Sequence, residues 1–407
     1  MKFKKLINYS KKNSIFILLI FFAFHLLLLV DAFAINVNKT VLPNGLTVLH
    51  SENHNLPIVM VTMIIKSGQT HEPYDKAGLA NLTAELLNEG TKTRTSKDIS
   101  EAIDFIGASL NASAGNDYIT VSLSILKKDL NKGFEIFWDI VLNPIFPQYE
   151  IERKKQLIKG SLKQREEDPS FLAEKAFIKE VFGEHPYSRL IEGSEETINK
   201  ISRDDILKFH SVNFLPNNSI LSIAGDITQD ELIILLEKYI GEWKKVELPE
   251  RKSLKLESNK NKKIVRIDKD ITQANIILGN YGISRDNPDY YAVTVMNYIL
   301  GGGGFASRLM NSIRDEKGLA YDVHSYFAAY KEAGYFQSEL QTKNETANVA
   351  IDEIIKQIIK IRTEKVTEKE LSEAKSYLTG SFPRRLDTTR KIADFLAAIE
   401  FFNLGLD

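Results

Sequence analysis

The sequence predicts an α+β protein made of two copies of one unit, each a largely antiparallel sheet packed with helices. Three observations lead there. Runs such as YITVSLSIL and GYFQSELQT alternate apolar and polar residues as half-buried strands do, and amphipathic helical runs lie between them. The order of elements starts again after a polar, Lys-rich stretch, LPERKSLKLESNKNKK. Within that repeat, KQLIKGSL at Lys155–Leu162 stands against KSYLTGSF at Lys375–Phe382, 220 residues on, with Lys, Gly and Ser coinciding.

The elements follow in order. MKFKKLINYSKK, the apolar run Ser14–Val30 and Ala32-Phe33-Ala34 have the three-part layout of a secretory signal peptide. The apolar run falls short of the roughly 20 residues a spanning helix needs. Residues 1–34 are therefore expected to be removed and the mature chain exported, with the periplasm as its compartment; an uncleaved membrane anchor is the alternative. Thr40–Ser67 holds two strand-like runs, the first turned by Pro43-Asn44-Gly45. A helix is expected from Ala77, a second over Asp98–Ile106, then strands that place Ile119, Val121, Leu123 and Ile125 on one face. LNKGFEIFWDIVLNP reads as a helix stopped by Pro144, and Tyr149–Glu167 as a long charged helix ending before Asp168-Pro169. A helix over Ser202–Phe214, the strand NSILSIAGD and a helix to Trp243 complete a first domain, 35–247. After a linker at 248–263, VRIDKDITQANIILGNYGI reads as strand, Tyr290–Leu300 and Ala347–Arg362 as helices, and the second domain runs over 264–407. It has no counterpart of the first copy's Ser202–Trp243 before Asp407, so it is expected to be incomplete at its C-terminus.

Composition excludes some chemistry. The 407 residues are 43% hydrophobic and 26% charged, enough chain for two domains, and 53 basic against 54 acidic residues give no reason to expect nucleic acid. With no cysteine, disulfides and thiolate metal sites are impossible.

Several spaced runs, LPNGLTVL, GLANLTAELLNEGT at Gly78–Thr91, HPYSRLIEG and SRLMNSIRDEKGLAYDV, together resemble the pitrilysin / mitochondrial-processing-peptidase family of inverted-zinc-motif metallopeptidases over almost all of 41–407. The resemblance implies a clam-shell half and a helix carrying H-x-x-E-H, whose histidines bind zinc while the Glu activates water. Here the first His corresponds to Asn81, the base to Ala84, the second His to Glu85, and the downstream Glu ligand to Gly160-Ser161. All four positions are changed. Asn81 offers a weak neutral oxygen and Ala84 accepts no proton, so the helix reads as a remnant, and no metal or cofactor is expected on this chain. Glu85 and Glu89, one turn apart, read as solvated charges. His50 and His54 flank a turn and read as surface polarity, and His185 as structural.

In the second half the resemblance implies an Arg and a Tyr that reach the substrate backbone and the oxyanion at the zinc of the other half. RDEKGLAY keeps both, as Arg314 and Tyr321; a surface arginine and a core tyrosine are the plain alternatives. Gly301–Gly304 resembles loosely a glycine-rich, precursor-binding loop of a non-catalytic subunit, against a simple flexible turn. The features imply a non-catalytic, substrate-binding subunit that lends Arg314 and Tyr321 to a zinc-bearing H-x-x-E-H partner and binds unfolded peptides. A structural or peptide-holding homologue without a part in catalysis is the alternative, and an independently active zinc protease lacks the ligands it needs.

Overall fold

The computed structural model describes residues 35–249 and 261–406. The expected signal segment and most of the expected linker lie outside them. From Val37 on, the chain forms one unit. Two sheets organise it, one from each repeat.

The first sheet has six strands, β1 (Asn38–Val41), β2 (Thr47–Glu52), β3 (Ile58–Ile65), β4 (Ser109–Ala114), β5 (Ile119–Leu126) and β6 (Ser219–Gly225), in the order β1-β2-β6-β3-β5-β4. Every pair is antiparallel except β2 with β6. Ile119, Val121, Leu123 and Ile125 are buried, the face that the alternation predicts. β6 is buried throughout because it lies between two strands and under helices, and its sequence, SILSIAG, lacks any charge.

Helices α1 (Leu79–Leu86), α2 (Ser96–Phe105), α3 (Leu130–Leu142) and α4 (Gln148–Arg165) follow in this half. So do α5 (Pro169–Phe182), α6 (Glu195–Lys200), α7 (Arg203–Asn213) and α8 (Gln229–Ile240). Their starts are written in the sequence: Thr95, Ser194, Ser202 and Thr228 each accept the N–H three residues on, and Asp168 caps α5 with Pro169 at its first position. Leu82, Leu86, Phe134, Phe137 and Trp138 fill the core against β3 and β5.

The second sheet contains β7 (Gln273–Tyr281), β8 (Ala320–Ala329) and β9 (Gly334–Lys343), antiparallel in the order β7-β9-β8. Helices α9 (Tyr290–Asn297), α10 (Ala347–Thr363), α11 (Glu368–Ser381) and α12 (Thr389–Phe401) belong to this half. The expected strand over VRIDKDITQANIILGNYGI is realised only from Gln273; Ile264, Val265 and Ile267 stay exposed and unpaired among the described residues. Propensity alone does not make a strand without a neighbour to pair with. The helix expected to Leu300 changes at Tyr298 into a π-helical turn, Tyr298–Gly302.

The repeat shows in the helix starts. α4 and α11 begin 220 residues apart, at Gln148 and Glu368, and α5 and α12 at Pro169 and Thr389 keep the same spacing. Each of the second pair packs on the sheet of the other repeat. Phe177 of α5 lies against β7 and Tyr335 of β9. α12 packs on β3 and β6, with Thr62 donating to Asp394 at 2.6 Å and Phe401 edge-on to Tyr118.

Candidate functional site

α1 is entered through Gly78, whose φ of 97° is the left-handed conformation that favours glycine; a Cβ there would sit 2.5 Å from the Glu192 carbonyl. The free N–H groups at its start are received by the buried Glu72 carboxylate, from Gly78 at 3.1 Å and Ala80 at 2.8 Å. Burial pushes the Glu72 carboxyl up to about 8, against the two N–H bonds and the charge of Arg189.

Every residue of α1 except Glu85 is buried. The Asn81 amide donates to Glu85 at 3.0 Å. The Ala84 methyl is part of the core. Opposite stands α4, but not through Gly160 or Ser161. Both are exposed, and nothing lies within 4 Å of where a Gly160 Cβ would be. Contact comes nearly two turns earlier. Lys154 Nζ lies 3.7 Å from Glu85 and 3.3 Å from Glu89, and Arg153 lies 2.8 Å from Glu89, which also accepts from Ser96 at 2.7 Å. Burial alone would raise the Glu89 carboxyl; Ser96, Lys154 and Arg153 outweigh it and hold the group below its usual range. Two side-chain cations thus answer the two carboxylates. The solvated charges expected at Glu85 and Glu89 are instead a paired network, because α4 brings Lys154 and Arg153 to them.

These residues do not fit a zinc ion. One amide is committed to Glu85, the carboxylates are committed to lysine and arginine, and no imidazole enters. Among the described residues no group of three or more His, Asp or Glu converges on a point. His50 is buried on β2, held between Gln229 at 2.7 Å and the Ile227 carbonyl at 2.9 Å. His54 pairs instead with Asp226 and Glu52. His185 joins the halves: it meets Glu332 at 3.2 Å, while neighbouring Tyr187 donates to the buried Asp117, which also receives the Lys331 N–H at 3.0 Å.

Beside Glu89 opens a cleft of about 390 Å³, lined among others by Asn88, Ser96, Ile99, Asp104 and Leu110. The Asn88 side-chain oxygen has no hydrogen-bond partner. β4 ends the sheet there, so its outer backbone groups are unpaired within the sheet.

In the second half three irregularities of the backbone meet. The π-helical turn Tyr298–Gly302 opens the glycine run, a second π-helical turn, Met310–Glu316, carries Arg314, and a bulge between Ala320 and Val323 flanks Tyr321. Such turns and bulges are concentrated at functional sites, where they re-aim side chains. Tyr321 is 85% exposed, so the core alternative for it is overturned: the bulge turns it outward. Arg314 lies with its guanidinium carbon 5.1 Å from the Tyr321 ring centre and 4.7 Å from that of Phe305, which follows the glycines. Arg308, one turn and a half earlier, is fixed by Glu370 through two bonds of 2.7 and 3.0 Å. Arg314, by contrast, has no hydrogen bond or ion pair from its guanidinium among the described residues. Arg314, Tyr321 and the glycine run are therefore brought together. Sequence reasoning missed Phe305 and Lys154; an aromatic residue directly after four glycines was the one signal for the first, and a lysine where the helix pattern is uniformly charged gave none for the second.

Comparison with known proteins adds to this geometry. Residues 47–195 match the family model described as insulinase (peptidase family M16), and residues 200–378 the one described as peptidase M16 inactive domain. A Rickettsia bellii protein described as an uncharacterized zinc protease is 32% identical over 349 residues, 85% of this chain and 83% of its own length. A Helicobacter pylori protein named non-peptidase homolog YmxG is 30% identical over 365 residues, 88% of this chain and 82% of its own. The crystal structure of a peptidase M16 inactive domain from Pseudomonas fluorescens superposes with a TM-score of 0.84 at 28% identity, over 91% of this chain and 89% of that one.

Proposed function

The chain belongs to the M16 peptidase family, and on that footing we propose that it is a non-catalytic, substrate-binding subunit of an exported heterodimeric zinc endopeptidase. One observation carries the reading. The helix that holds zinc in active relatives is neutralised internally by Lys154 and Arg153, whereas on re-aimed backbone Arg314 is half-buried with its guanidinium donors uncommitted and Tyr321 is exposed. The first half has given up the chemistry and the second has kept its donors.

In this reading the partner supplies H-x-x-E-H, the zinc and the water. Arg314 contributes a permanent charge with several in-plane donors, and Tyr321 one directed O–H, both toward a peptide carbonyl whose oxygen gains charge during attack. An extended peptide adds to the outer edge of β4, beside the cleft at Asn88 and Glu89, so the chain reads backbone more than sequence. The name of the Helicobacter pylori relative agrees with a chain that does not cleave alone.

The test is reconstitution. The chain is co-expressed with an H-x-x-E-H family member from the same genome, and cleavage of an unfolded polypeptide is assayed. Expected are no turnover by either chain alone, turnover by the pair, and a loss on the order of 10²–10³ in kcat for Tyr321→Phe and Arg314→Ala. Turnover that ignores both substitutions would leave only a structural or peptide-holding role.

A further inference from the structure

The geometry points to Phe305 as the positioning residue for Arg314, delivered to it by the glycine run. The Phe305 ring is 70% exposed, and the cation over it is Arg314, 4.7 Å away. The glycines explain how the ring gets there. A Cβ at Gly301 would strike the Ser325 side chain and backbone of β8 at 2.4 and 2.6 Å; one at Gly302 would meet Asn297 at 2.7 Å, and one at Gly303 the Tyr298 carbonyl at 2.6 Å. These three positions are closed against the protein's own turn and sheet. Gly304, at φ 57° with open space around it, then redirects the chain outward, and Phe305 follows.

The arrangement suits an arginine that must be held without being neutralised. A carboxylate would occupy the N–H edge of the guanidinium, as Glu370 does for Arg308. An aromatic ring attracts the cation through its π-face and brings no carboxylate to pair with the five N–H donors. Phe305 and Tyr321 both lie against Arg314, their ring centres 4.7 and 5.1 Å from its guanidinium carbon, so the group is held without a carboxylate on its donors. The positioning stands on this geometry alone; its consequence for peptide binding rests on the function proposed above.

Two measurements on the isolated chain test it. Phenylglyoxal modifies arginines, and peptide mass mapping gives the rate at each one. Phe305→Ala is expected to speed modification of Arg314 about two- to five-fold, the range an exposed ring–cation contact supplies, with Phe305→Trp restoring protection and Arg308 unchanged as the internal control. Fluorescein-labelled β-casein, an unfolded polypeptide, is then titrated and followed by anisotropy. Phe305→Ala is expected to weaken binding about two- to five-fold, Arg314→Ala by more, and the double variant no further than Arg314→Ala alone. Unchanged reactivity at Arg314, or additive losses in the double variant, would overturn the assignment. If Arg314→Ala leaves casein binding intact, the peptide-binding reading fails, and the reagent still decides the role of Phe305.

Discussion

Glu72 makes the stability of the fold around α1 depend on pH in a direction opposite to that of most carboxylates. Its carboxyl sits at about 8 in the fold and near 4.5 when unfolded. A raised acid favours the protonated fold, so its contribution is complete below about pH 4.5 and is lost as the pH climbs through 8. At about 1.36 kcal/mol per unit, the loss across the window is on the order of 4–5 kcal/mol, and about 3 kcal/mol of it has gone by pH 7. Glu72→Gln keeps the shape and removes the titration, but puts an NH₂ where one of the Gly78 and Ala80 N–H groups had an acceptor, at about 1 kcal/mol. The variant should therefore match the parent near pH 5, where the parent has lost about 1 kcal/mol, and exceed it increasingly towards pH 8. Urea unfolding of both proteins at pH 5, 6, 7 and 8 measures this, and the difference cancels every other titrating group. Parallel curves, or a variant that loses most at pH 8, would refute the reasoning.

Other consequences are equally direct. Lys154→Met should cost about 1–2 kcal/mol at pH 7 by removing one of the two cations that answer Glu89, and since Glu89 is held below its usual range that cost should fade as the pH drops under about 4.5. Gly160→Ala should stabilise the chain by roughly 0.5–1 kcal/mol in thermal unfolding, because the site is an exposed helix interior with open space around it. His210, pushed down to about 4 by burial although the Val141 carbonyl accepts from it, must be neutral in the fold. Its contribution is lost as the pH falls from 6.5 towards 4, so His210→Gln should flatten the acid side of the stability curve relative to the parent. Tyr321→Phe should leave the melting temperature of the isolated chain within experimental error, the ring being largely outside the core.

Much of the first half was legible in its sequence, since period and caps there agree with packing. The alternation from Ile119 to Ile125 placed a core face, and Thr95, Ser202 and Thr228 opened helices. The chemistry of α1 is read from residue type alone, because Asn81 and Ala84 cannot perform that of histidine and glutamate whatever their surroundings. The pairing of Glu85 and Glu89 was not legible. The resemblance directs attention to Gly160-Ser161, while the helix twist sends Lys154 and Arg153 to the carboxylates. Nor could periodicity reveal the π-helical turns: they preserve a helical pattern and change only which residues point outward. The cluster of Phe305, Arg314 and Tyr321 depends on those turns, and so became visible only in three dimensions.

The crossed helices α5 and α12 carry a lesson about dissection. Severing the backbone between Leu248 and Lys263 would not set two fragments free, because each would still be laced to the other through a helix lodged on a foreign sheet. Nicked protein should travel as a single particle until denatured, and either fragment produced alone should be sticky and insoluble. The tandem chain is, in effect, a domain-swapped dimer written on one ribbon: a lone repeat could satisfy the same contacts only by finding a twin.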